Sequence, residues 1–127
     1  MTEEGLRWVD PERIIMGQRD KIGSEEHRQL LIKTIEKLHE SNMLVVSARE
    51  KHSFDLVAWP MNQKKRYLWD LRGAKGYEAQ TSARKDSVEM NIGKGEIWNV
   101  PLVWVGDEET VKAIMELTKG TNEYMVV

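Results

Sequence analysis

At 127 residues, with 40% hydrophobic and 31% charged side chains, the chain has the balance of one folded, water-soluble domain and not that of a disordered tail. No apolar run approaches the roughly 18 residues that cross a bilayer, and the absence of cysteine excludes a disulfide framework or a thiolate metal site. The net charge of −2 gives no global sign of nucleic-acid binding, and MTEEGLRWVDPER lacks the basic start and apolar stretch of a secretory signal, so a cytoplasmic (intracellular) protein with no membrane partner is expected.

Residues 1–22 have mixed polarity, a proline at position 11 and little periodicity, which suits an arm or short helix laid against a domain over 23–127. Ser24 is a good N-cap, and Glu25 and Glu26 fall in the first turn, where negative charge suits the helix dipole. His27, Leu31, Thr34, Ile35 and Leu38 follow at helical spacing and predict a helix over 24–39. MLVVSA at 43–48 reads as a buried strand, and a second strand over 52–59 carries SFDLVAW up to Pro60. RYLWDL at 66–71 and GYEAQTS at 76–82 read as two more, joined through RGAKG as a hairpin. Residues 83–97 are polar and moderately helical despite Gly93 and Gly95, and apolar PLVWVG at 101–106 suits a central strand. Asp107 caps a helix over 107–119 that Gly120 closes, and EYMVV adds a last strand. The order α-β-β-β-β-α-β-α, with that final strand, predicts an α/β fold: a mixed β-sheet flanked by helices.

Three acids lie on predicted strands: Asp55, Asp70 and Glu78. A turn centred on Ala74 would set Asp70 directly opposite Glu78, and like charges so placed repel, more so where the dielectric is low. A divalent cation would remove that penalty, and oxygen ligands suit Mg²⁺ or Mn²⁺. A cation held by two carboxylates can activate water against a phosphodiester. The plainer alternative is that each acid faces solvent.

The run from Gly23 to Val105 resembles the PD-(D/E)XK nuclease superfamily, restriction-endonuclease-like in fold, and within it the archaeal Holliday-junction resolvases. LIKTIEK at 31–37 looks like the first helix of that family, LVVSA at 44–48 like its first strand, and FDLVAW at 54–59 like its Asp strand. YEAQTSARKDS at 77–87 looks like the Glu-x-Lys strand passing into its helix, and VPLVWV at 100–105 like the closing strand. The resemblance implies metal ligands at Asp55 and Glu78, with Glu25 or Glu26 as the helix acid, although aligning LIKTIEK puts Arg28 where that acid belongs. Gln80 stands in place of the family's lysine. An amide there can orient a water but supplies no positive charge. A rival register lays KKRYLWDLR at 64–72 on the same strand, with Asp70 as ligand and Arg72 as cation; Glu78 and Gln80 are preferred because a helix and the PLVWV strand follow them.

The charge distribution fits a polyanion site in the same region. Residues 49–94 carry ten Lys/Arg against six Asp/Glu, whereas residues 1–48 carry seven against nine and residues 95–127 two against six. Lys51, Lys64, Lys65, Arg66, Arg72, Lys75, Arg84 and Lys85 are the candidate phosphate contacts, although Lys-rich exposed loops would give the same distribution. The histidines at 27, 39 and 52 lack zinc-ligand spacing, and His27 reads as a packed residue on the inner helix face. The expectation is a metal-dependent endonuclease acting on DNA, branched junctions included, and a homodimer if the resolvase resemblance extends to assembly. The alternative, favoured by the missing lysine and the displaced helix acid, is an inactive nuclease fold that binds nucleic acid or docks a protein.

Overall fold

The computed structural model describes residues 10–15, 24–47, 54–61 and 73–127. The polypeptide starts with a short helix α1 (Pro11–Ile15), where Asp10 accepts hydrogen bonds from the Glu12 and Arg13 amides. Proline at the first helical position costs no hydrogen bond. Ile15 is buried against α2 (Glu25–Glu40), and Arg28 of α2 reaches back to Glu12, so this part of the predicted arm is docked on the domain. Ser24 Oγ accepts from the His27 amide at 3.1 Å and starts α2 where its spacing predicts. Leu31, Thr34, Ile35 and Leu38 form its buried stripe.

The strands are β1 (Met43–Ser47), β2 (Leu56–Pro60), β3 (Lys75–Ala79), β4 (Leu102–Gly106) and β5 (Glu123–Val126). They lie in one sheet in the order β1-β2-β3-β4-β5. β1, β2 and β3 pair antiparallel, whereas β3–β4 and β4–β5 are parallel, as helical connections between strands require. Those connections are α3 (Lys85–Trp98) and α4 (Glu108–Thr118). Asn99 ends α3 at φ 53°, and Asp107 caps α4 by accepting the Thr110 amide at 2.7 Å. The described residues thus form a mixed five-stranded sheet flanked by four helices.

Alternation along the strands divides the core into two layers. Val45, Leu56, Ala58, Tyr77, Ala79, Val103 and Val105 pack with α1 and α2. Leu44, Phe54, Val57, Trp59, Leu102 and Trp104 pack with Val88 of α3 and Ile114 of α4. Trp59 and Trp104 are fully buried there, core residues and not stacking platforms. β5 is an edge strand, and the Lys37 ammonium donates to the Val126 carbonyl at 3.1 Å.

One pairing differs from expectation. β3 takes β2 on one edge and β4 on the other, so it is not the second arm of a hairpin with 66–71. The segment 66–71 itself lies outside the described residues. Short spacing in sequence favoured the hairpin, but the apolar Leu56–Trp59 run claims the place beside β3 because it fills both layers.

Phe54 fixes how far β2 and β3 slide past one another. Its ring covers Gly76, where a β-carbon would stand 2.4 Å from Phe54 Cγ. Gly76→Ala is therefore expected to cost about 1–3 kcal/mol by overpacking, read as a lower midpoint in chemical denaturation. Midpoints equal to wild type would show that the ring does not set this register.

Candidate functional site

The β2–β3 register sets Leu56 opposite Tyr77 and Val57 opposite Gly76. One step further, at the bend leading into β2, Asp55 stands beside Glu78. Asp55 Oδ2 accepts the Ala79 amide at 3.0 Å and lies 3.3 Å from His27 Nε2 of α2. Glu78 Oε1 accepts from the Lys94 ammonium of α3 at 3.3 Å. A polar chain, His27–Asp55–Glu78–Lys94, thus crosses the sheet from one helical layer to the other.

Burial governs its electrostatics. The Glu78 side chain is 3% exposed, against 15% for Lys94, 13% for Asp55 and 17% for His27. Desolvation first, then the negative charge of Asp55 and a hydrogen bond with it, push the Glu78 carboxyl up to about 8, against the pull of Lys94. At neutral pH the pair therefore tends to keep a proton, and an added cation would displace it.

The other residues singled out by sequence fall elsewhere. Glu25 and Glu26 are in the first turn of α2 and do not join the pair; hydrogen bonds from Gln29 and Arg28 hold the Glu25 carboxyl below its ordinary value. The α2 residue that reaches Asp55 is His27, which stands one turn before Leu31 on the inward stripe of the helix. Gln80 follows β3, its amide bonded to the Val105 carbonyl at 2.8 Å. It lines a cavity of about 470 Å³ with Glu25, Glu26, Gln29, Lys33 and Asp107. Arg84 and Lys85 are exposed at the start of α3, Arg84 bonded to Asp86, and Lys75 is bonded to Glu123. Lys51, Lys64, Lys65, Arg66, Asp70 and Arg72 lie outside the described residues.

Sequence reasoning missed two residues of the site: His27, read as a packed residue but found 3.3 Å from Asp55 Oδ2, and Lys94. The signal for Lys94 was present, since Val88, Asn91 and Lys94 recur every third residue on the inward face of α3. A lysine on a buried stripe needs an acid, and Glu78 is the buried acid within reach.

Among the described residues no three His, Asp or Glu side chains come together closely enough to hold a metal ion. No described helix is long and apolar enough to cross a membrane. Compared with protein-family models, curated proteins and solved structures, the chain matches none.

The raised Glu78 carboxyl predicts a pH dependence. In the unfolded chain it ionises near 4.5 and in the fold near 8, so folding takes up a proton between those values. Its contribution to stability is full below about pH 4.5 and is lost progressively as pH rises to about 8. Glu78→Gln removes this loss, so the variant should unfold later than metal-free wild type above pH 8, by roughly 1–3 kcal/mol. Denaturant titrations from pH 4.5 to 8.5 check it; parallel curves for the two proteins would mean that Glu78 ionises normally.

Proposed function

We propose that the protein is a metal-dependent endonuclease of the PD-(D/E)XK type that hydrolyses phosphodiester bonds in DNA. The observation that carries this reading is the Asp55–Glu78 pair, a half-buried acid at the bend before β2 beside a buried one on β3, with a lysine ammonium against it. The succession α2-β1-β2-β3-α3-β4 also follows the order of elements in that superfamily.

The donor set fits a hard divalent cation. Two carboxylates in a poorly solvated place repel, and Mg²⁺ is commonly held by one or two carboxylates together with substrate phosphate and water. Asp55 and Glu78 would hold Mg²⁺ or Mn²⁺, and the ion so bound would lower the pKa of a water and neutralise charge on the phosphate. The Ala79 amide and His27 fix the Asp55 carboxylate. Lys94 brings the full positive charge that Gln80 cannot supply, with its ammonium already 3.3 Å from Glu78 Oε1. Arg84 and Lys85 would grip the DNA backbone, contacts that position a duplex without reading its sequence. The resolvase resemblance alone extends the proposal to a homodimer.

A second reading has its own observation. Asp55 is hydrogen-bonded to Ala79 and paired with His27, and Glu78 is paired with Lys94, so the cluster is already satisfied as a polar network within the fold. On that reading the protein binds nucleic acid or a partner protein without cutting.

Cleavage of supercoiled and branched DNA in Mg²⁺ or Mn²⁺ separates the two. Asp55→Asn should abolish cleavage and Lys94→Met should lower it about 10²–10³-fold, whereas Gln80→Lys should retain or increase it. Activity in purified Asp55→Asn equal to wild type would remove this site from the reaction. Salt-sensitive binding in Ca²⁺, with no cutting by wild type in either metal, would select the non-catalytic reading.

A further inference from the structure

Asn91 is the most unusual polar residue of the interior. It is 3% exposed, and its Oδ1 has no hydrogen-bond partner among the described residues. A buried acceptor left unmet is costly, and few folds keep one without a reason.

Its position in the fold supplies the reason. α3 runs from the end of β3 back to the start of β4, opposite to both strands. Gly95 marks the level of Leu102, since a β-carbon on Gly95 would touch Leu102 Cβ at 3.6 Å. Glu78 pairs with Trp104, two residues beyond Leu102, which is about 6.6 Å along a strand. Four residues back from Gly95 along the helix is about 6 Å, and that residue is Asn91. Asn91 therefore stands level with Glu78, in the layer toward which α3 packs. Lys94, three residues later on the same side of α3, reaches back to Glu78, as helical side chains lean toward the N-terminus.

We infer that Asn91 Oδ1 is a third protein oxygen ligand for a divalent cation held by Asp55 and Glu78. The inference rests on the metal-dependent reading and adds a residue to it. An amide oxygen is a hard donor of the kind such cations take, and it needs no deprotonation to bind. It adds no charge of its own, so a bound ion would displace the proton shared by the two carboxylates without a third anion being brought into the buried site. Lys94 on the same stripe then stands beside the ion's position without competing as a ligand.

The test uses the full chain and Mn²⁺ alone, with binding followed by electron paramagnetic resonance or calorimetry. Wild type should bind, Asp55→Asn should lose binding, and Asn91→Leu should weaken it about tenfold or more. Metal-free Asn91→Leu should melt no lower than wild type, because it removes an unmet acceptor and not a bonded one. Asn91→Asp, which keeps the oxygen and adds charge, should bind Mn²⁺ more tightly than wild type. Wild-type affinity in Asn91→Leu overturns the inference and leaves the carboxylate site standing. If Asn91→Leu does not fold, Asn91→Asp decides alone, and affinity no tighter than wild type overturns the inference. Absence of Mn²⁺ binding by wild type, or equal binding by Asp55→Asn, removes the carboxylate site and Asn91 with it.

Discussion

Glu78 lies on β3, the middle strand of the sheet, where neighbours on both edges and helices over both faces leave its side chain almost no route to water. A carboxylate in that position must be protonated, paired with a cation, or close to another group that shares its proton. Asp55 and Lys94 meet the requirement from opposite directions, one sharing charge and the other cancelling it. The site is thus a consequence of putting an acid on the buried part of the middle strand.

Two packing decisions bring those neighbours in. The first is the seat of the Phe54 ring on Gly76, which holds the entry to β2 at a fixed height against β3 and so sets Asp55 beside Glu78. The second is the parallel pairing of β3 with β4, which obliges the chain to return over the sheet as α3. A helix forced to run back across Glu78 can deliver any residue of its inner stripe to it. The middle of that stripe carries Asn91 and Lys94 where hydrophobic side chains would pack more cheaply.

The element order was legible in the sequence because period and capping agree. Ser24 and Asp107 announce two helices, and the short apolar runs at 43–47, 56–59 and 102–105, bounded by turn residues, read as strands. Partner choice among strands was less legible: proximity in sequence pointed to a hairpin before β3, whereas burial on both faces gave β2 that place. For the site, Asp55 and Glu78 could be nominated as strand acids, but their adjacency depends on register, which the Phe54–Gly76 contact sets and no periodicity encodes. Lys94 was hidden for another reason: the weak amphipathicity of α3, with glycines on either side, concealed which of its faces turns inward. The acids Glu25 and Glu26 were nominated as the nearest acids to the family position, which Arg28 occupies, whereas the contact to Asp55 goes to His27.

The outermost strand carries a quieter consequence. Among the described residues β5 has no strand on its outer edge, the kind of surface on which a second chain can add itself. Lys37 sets an ammonium on the Val126 carbonyl within that strand. A chain arriving there would have to strip water from a cation or push it aside, a cost that no backbone ladder recovers at that position. Part of the acceptor row on this edge is thus already spoken for by the chain's own helix.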